Sequence, residues 1–276
     1  MTASNDTFAA SGRPDRPART VLVTGAGHRI GRGLALGFAA AGWDVAVHYG
    51  SSKAKADEVV AEIAALGRRA VALKADLSVE AEVERLVPEC TAALGRPSCI
   101  VNNASMFDED TALDVSYAKL LHLTSINVGA PLVLARMLYE VTPEAARHDE
   151  SLRAAVINVL DQKLYNMNPD YLSYTLSKAA LGTATVALAQ ALAPKVRVVG
   201  LAPGLTLRSG DQTPESFAAA HKVTPLGHAS RIEDLVAAAL YLADARGVTG
   251  TTLVVDGGQH LVPLPRDVMF LTGADR

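Results

Sequence analysis

The sequence predicts a doubly wound α/β fold, one parallel sheet of about seven strands in a single domain, and three observations predict it. Short β-branched runs alternate with longer helical patterns. The first run leads straight into a glycine-rich turn and then an apolar-periodic helix. At 276 residues the chain can bury one full core, and no shift in composition divides it. The strands are expected at Thr20–Val23, Asp44–His48, Ala70–Lys74, Cys99–Val101, Ala155–Leu160, Val196–Leu201 and Thr252–Val255. Right-handed crossovers then gather the loops after the strands along one sheet edge, where ligands bind near the reversal of strand order.

Residues 1–18 are rich in Ser, Thr, Asp, Pro and Arg, lack the apolar stretch of a secretion signal, and read as a disordered lead-in. The folded domain is expected over 19–258. The 259–276 tail carries Leu261, Val262, Leu264, Val268, Met269 and Phe270, too apolar to leave in water, and is expected at a subunit interface. The stretch Thr206–Ser230 has weak periodicity and reads as a lid.

With 26 basic and 29 acidic residues spread throughout, a net charge of −3 offers no basic face for nucleic acid or an anionic membrane. No uninterrupted apolar run approaches the ~20 residues of a spanning helix. Cys90 and Cys99 lie in apolar contexts without metal-ligand spacing, which suits the cytoplasm and suggests neither a disulfide nor a metal site.

The glycine turn is Thr24-Gly25-Ala26-Gly27-His28-Arg29-Ile30-Gly31, after the run Val21-Leu22-Val23. Strand, turn and helix follow in the order of a Rossmann dinucleotide site, with glycines letting backbone N–H groups approach a diphosphate at the helix start. NAD sites carry an acid about 20 residues further on for the ribose 2′-OH. Here the second strand ends in His48-Tyr49-Gly50-Ser51-Ser52-Lys53 instead. The absent acid, with Ser51, Ser52, Lys53 and Arg29 nearby, favours NADP(H). Asp76-Leu77, after the third strand, is placed for the adenine, or Asp76 closes the turn into a helix with Ser78 as N-cap.

Tyr174 and Lys178 stand four apart in a stretch, Tyr171 to Leu192, that reads as one helix, so they share a face. An ammonium beside a phenol eases its proton release, and a proton must follow a hydride onto the substrate.

These motifs, taken with Asn102-Asn103-Ala104-Ser105, Asn127, Pro203-Gly204 and Asp256-Gly257-Gly258, resemble the short-chain dehydrogenase/reductase family from Arg19 to Gly258. The resemblance implies that Asn103, Ala104 and Ser105 lie beside the cofactor and that Asn127 relays protons through a water to Lys178. Lys178 would hold the nicotinamide ribose, and Pro203 and Gly204 would lie near the nicotinamide amide. Homotetramers or homodimers are expected.

Two positions depart from most of that family, which has glycine in place of Arg29 and serine in place of Asp161. The serine donates to a substrate carbonyl, which an ionised carboxylate cannot do. The chain therefore resembles the pteridine reductase branch, which includes dihydromonapterin and dihydrofolate reductase activities. That likeness implies a pterin-like substrate stacked on Phe107 and contacted by Arg29, Ser105, Asp161, Tyr174 and Leu205, with Asp161, Tyr174, Lys178 and Asn127 as the catalytic group. In the residues alone, Asp161 fits equally a cap of Asp161-Gln162-Lys163 or a partner of Lys163. A ketone reductase for a 3-oxoacyl thioester or sugar stands as the alternative, and a non-catalytic NADP-binding sensor or scaffold as the second.

Overall fold

The computed structural model describes residues 19–208, 217, 224–228, 230–267 and 270. All seven expected strands form: β1 (Arg19–Val23), β2 (Trp43–Tyr49), β3 (Ala70–Lys74), β4 (Cys99–Asn102), β5 (Ala154–Val159), β6 (Val196–Pro203) and β7 (Thr252–Val255). They lie in the order β3-β2-β1-β4-β5-β6-β7, and every neighbouring pair is parallel. Strand order reverses between β1 and β4, so the loops after those two strands open the ligand crevice.

Helices cover both faces. The element after β1 is α1 (Arg29–Ala40), followed in turn by α2 (Lys53–Ala65), α3 (Glu80–Leu94), α4 (Tyr117–Thr124), α5 (Ala130–Val141), α6 (Leu172–Leu192) and α7 (Ile232–Asp244). Because side chains alternate along a strand, Val21 and Val23 pack with Leu34, Ile63 and Leu235 of α1, α2 and α7, while Leu22 packs with Leu86, Leu134 and Ala189 of α3, α5 and α6. Burial on both faces is why these strands read as continuous apolar runs. Each fully buried Val or Leu contributes roughly 1.5–3 kcal/mol.

A five-residue π turn, Ser125–Gly129, joins α4 to α5 without a break. The fused helix Tyr117–Val141, with a mean hydropathy of 1.3 in its most apolar window, is long and apolar enough to cross a membrane by length and composition, although no uninterrupted apolar run of that length exists in the sequence. Lys119 and Arg136 interrupt the run in sequence, so its length emerges only from the continuous helix. Its Leu123, Leu134 and Leu138 are wholly buried inside this fold.

The expected N-cap at Ser78 does not form. Helix α3 begins at Glu80, and both the N–H and the hydroxyl of Ser78 turn back to Asp76 Oδ1, at 2.8 and 2.7 Å. At the ends of the expected lid, the Thr206 and Ser230 hydroxyls lie 2.8 Å apart. Residues 209–216, 218–223 and 229 of that segment lie outside the described residues, as do the 1–18 lead-in, Val268, Met269 and 271–276.

Candidate active site

The floor of the site is the turn after β1. Thr24 Oγ1 accepts the N–H groups of Asn103 and Ala104, each at 3.0 Å, tying this turn to the loop after β4. Gly25 has φ +62°, and a Cβ there would lie 3.1 Å from Ala104 Cα. At Gly31 a Cβ would stand 2.2 Å from the Gly25 carbonyl oxygen, so helix and turn touch only because residue 31 is glycine. Helix α1 starts at His28 without a side-chain cap, and His28, Arg29, Ile30 and Gly31 line the cleft. An uncapped helix start in a cleft is suited to a phosphate.

His48 braces this floor. Its Nδ1 accepts the Gly25 N–H at 3.0 Å, which leaves the proton on Nε2 to donate to Ala75 O at 3.1 Å. Burial lowers its pKa, so the ring stays neutral and can keep both bonds. At the end of β2, Tyr49 is buried and Ser51 exposed, while Lys53 pairs with Asp57 at 2.6 Å in solvent. Asp76 is held by its turn with Ser78, and Leu77 is buried.

Arg29 occupies φ +53°, a left-handed backbone that glycine adopts without cost. Its guanidinium reaches to the Arg208 carbonyl at 2.6 Å and the Leu207 carbonyl at 3.5 Å. It therefore straps the start of α1 to the foot of the Thr206–Ser230 segment.

Above the floor stand Asp161 and α6. Asp161 does two things at once: Oδ1 accepts the Lys163 N–H at 2.8 Å, capping a short 3₁₀ turn (Gln162–Tyr165), and Oδ2 accepts the Tyr174 hydroxyl at 2.7 Å. Lys178 sits buried behind them, its Nζ donating to Val159 O at 2.7 Å and lying 5.7 Å from the Tyr174 ring centre. Burial raises the pKa of Asp161, and burial followed by the charge of Asp161 pushes Tyr174 well above its ordinary value. Lys178 is drawn down to about 8 by burial, opposed by the Asp161 charge. This corrects the expectation that the ammonium eases proton release from Tyr174. Burial of the phenol is the largest cause, and the carboxylate bonded directly to it pushes in the same direction.

The facing wall is aromatic. Phe107 stacks on Tyr171 with ring centres 4.1 Å apart and meets Tyr174 edge-on at 4.6 Å. Tyr171 is itself left-handed, φ +55°, at the start of α6. Buried Asp110 fixes that corner, accepting the Ser173 N–H at 2.9 Å and the Ser173 hydroxyl at 2.5 Å. Asn127, within the π turn, accepts the Met106 N–H at 2.8 Å and donates to Met106 O at 3.0 Å, setting the residue before Phe107. Ser105 bonds Asn127 Oδ1 at 3.3 Å.

The described part of the tail docks on this chain's own site. Asp267 bonds Lys163 Nζ at 3.2 Å, Arg266 Nε lies 2.9 Å from both carboxylate oxygens of Asp170, and Phe270 stacks on Tyr171 at 5.8 Å. Floor, dyad and walls enclose one cleft of about 530 Å³, reaching from Gly25 past Tyr174 to Leu205 and Asp267.

A family model described as enoyl-(acyl carrier protein) reductase, of the short-chain dehydrogenase group, matches residues 25–260. The chain belongs to the short-chain dehydrogenase/reductase family. A 3β-hydroxysteroid dehydrogenase of Eggerthella lenta is 31% identical over 261 residues, covering 90% of this chain and 96% of that protein. A 3-oxoacyl-[acyl-carrier-protein] reductase, FabG, of Staphylococcus epidermidis is 29% identical, covering 88% and 99%. Among solved structures, FolM alternative dihydrofolate reductase 1 of Brucella canis, complexed with NADP, is 35% identical with a TM-score of 0.83, covering 90% of this chain and 96% of that one.

For this short-chain oxidoreductase, the structure brings Gly25, His28, Arg29, Ile30, Gly31, Asn103, Ala104, Ser105, Phe107, Asp161, Tyr174, Gly204 and Leu205 to one cleft. Gly27, Tyr49, Ser51, Ser52, Asp76, Leu77, Asn127, Lys178 and Pro203 are not part of its lining. His48 as a brace, Asp110 as an anchor, and the pairing of Lys163 with Asp267 rather than Asp161 were not singled out in the sequence. Only His48, a polar residue near the end of an apolar strand, offered a signal.

Proposed function

We propose that this chain reduces a dihydropteridine, of the dihydromonapterin, dihydrobiopterin or dihydrofolate type, with NADPH. One observation carries the reading: Asp161, standing where ketone-reducing relatives place a serine, receives the Tyr174 hydroxyl at 2.7 Å. A carboxyl of raised proton affinity beside a phenol suits protonation of a ring nitrogen and does not suit donation to a ketone by an ionised acid. The 35% identity to a dihydrofolate reductase structure holding NADP supports the same reading.

The residues fit the cofactor. The uncapped start of α1 and the Gly25–Gly31 turn would hold the diphosphate; Arg29, Ser51 and Ser52 would meet the 2′-phosphate; Asp76 and Leu77 would lie at the adenine, and Asn103, Ala104, Pro203 and Gly204 at the nicotinamide end. NADPH, when bound, supplies the hydride to the carbon of a C=N bond. Tyr174 delivers the proton to its nitrogen, and Asp161 returns one to Tyr174. Lys178 fixes the pair from behind and would hold the ribose. Phe107, Ser105 and Leu205 would frame the flat ring, with Asn127 setting the Phe107 loop. Free, buried Cys90 and Cys99, with thiols pushed up to about 12 by burial, fit a cytoplasmic enzyme. A homotetramer or homodimer is the assembly we expect.

An initial-rate panel with NADPH decides the substrate. Turnover of dihydrobiopterin, dihydromonapterin or dihydrofolate is expected; turnover of acetoacetyl thioesters alone would install the ketone reading that the FabG and hydroxysteroid dehydrogenase relatives favour. A sensor or scaffold would turn over neither, and the intact Tyr174–Lys178 pair argues against it. With no carboxylate at the end of β2, in His48–Lys53, NADPH should bind at least about tenfold tighter than NADH, or roughly 1.4 kcal/mol. Calorimetric titration checks this, and equal affinities would remove Arg29, Ser51 and Ser52 from the 2′-phosphate.

A further inference from the structure

The described C-terminal residues do more than cover apolar surface. Lys163 follows Asp161 by two residues, and its side chain is only 3% exposed. An ammonium so deep needs a countercharge. Asp161 does not provide it: among the described residues no ion pair joins the two, and Asp161 spends its oxygens on the Lys163 N–H and the Tyr174 hydroxyl. The countercharge comes instead from Asp267, 104 residues away, at 3.2 Å, while the Asp170 carbonyl accepts from the same Nζ at 2.7 Å. Asp170 in turn holds Asp267 in place, accepting its N–H at 2.7 Å and pairing with Arg266. Asp267 also lines the cleft that contains Asp161 and Tyr174.

We propose that Asp267 is a positioning residue for the Asp161–Tyr174 pair: it keeps the buried Lys163 ammonium engaged and faces the pair with negative charge, so that the pair retains its proton. The proposal rests on the reading that Asp161 and Tyr174 supply the proton, and holds whichever substrate receives it. The charged and titratable groups around Asp161 are Tyr174 and Lys178 from α6, Lys163 from its own turn, and Asp267 from the tail, with His28 and Arg29 across the cleft. Burial is the largest cause of the raised proton affinity of both Asp161 and Tyr174, and the charge of Asp267 adds in the same direction as the smallest of the named causes.

Two substitutions should act in opposite directions. Asp267→Asn removes the negative charge and frees the ammonium, both of which favour ionised Asp161. The pair then loses its proton earlier as pH rises, and the basic limb of kcat/KM moves to lower pH. Lys163→Met removes the ammonium that Asp267 pairs with and moves the limb up, while Asp267→Glu keeps it near the native position. A merely structural latch would weaken activity in both variants without shifts of opposite sign. Ultraviolet titration of tyrosinate in the substrate-free protein, taken as a difference against Tyr174→Phe in each background, reads the same shift without turnover. It separates this proposal from the pterin assignment: a ketone-only substrate panel with the paired shifts intact would sink that assignment alone. Unmoved limbs and unmoved tyrosinate titrations in both variants overturn the role of Asp267.

Discussion

Replacing Tyr174 by Phe should lower the turnover number about 10²–10⁴-fold, the usual worth of a positioned general acid, while the dissociation constant of NADPH stays near the native value. The two outcomes separate because the ring and the hydroxyl do different work. Phenylalanine keeps the edge contact with Phe107, 4.6 Å between centres, and leaves Lys178 bonded to Val159 O. The hydroxyl alone is lost, and with it the donor to Asp161 Oδ2. Asp161 is then a buried carboxyl with one oxygen unpaired, which favours its protonated form further. A stability change accompanies the variant for that reason, so single-turnover rates should be measured on protein whose folding has been checked by thermal melting. A near-native rate in folded Tyr174→Phe would remove Tyr174 from proton transfer.

The direction of the pKa shifts sets how native activity depends on pH. If the protonated pair is the competent form, the rate holds at low pH and falls as pH rises through the pair's folded value. Lys178, drawn down to about 8, adds its own loss of charge as pH rises. Asp161 and Tyr174 titrate as one coupled unit, so the limb belongs to the pair.

Much of this was legible in the residues. The seven strands could be read because a sheet buried on both faces demands β-branched runs, as Val21, Leu22 and Val23 show with no exposure at all. Tyr174 and Lys178 could be read because a four-residue spacing on a helix puts two side chains on one face. What escaped depends on contacts between segments far apart in the chain. Nothing near Asp267 announces that it will meet Lys163, and nothing in the glycine turn announces that Arg29 will strap the carbonyls of Leu207 and Arg208. The sign of the Tyr174 shift escaped for a related reason. Spacing shows that an ammonium is near, but only burial and the direct 2.7 Å bond to Asp161 show which charge wins.

Asp161→Ser should abolish most pterin reduction, by about 10²–10³-fold, and open activity on small ketones or 3-oxoacyl thioesters. Serine is the informative replacement because it preserves one duty of Asp161 and reverses the other. A hydroxyl oxygen can still accept the Lys163 N–H and cap the Gln162–Tyr165 turn, so the local backbone is kept. What disappears is the titratable acceptor of the Tyr174 hydroxyl; what arrives is an O–H that can donate to a carbonyl oxygen. Freed of the neighbouring carboxylate, Tyr174 also loses the second and third largest causes of its raised pKa, leaving burial and the charge of Asp267. The basic limb of the ketone activity should therefore lie below that of native pterin reduction. Asp161→Asn completes the comparison: its one amide oxygen can keep the cap on the Lys163 N–H, but an NH2 replaces the oxygen that accepts from Tyr174 and no exchangeable acid proton is left, so it should lose pterin turnover. Full pterin activity in the Asn variant would reduce Asp161 to the cap of a turn, and the substrate would then have to be argued from Phe107 and Arg29 alone.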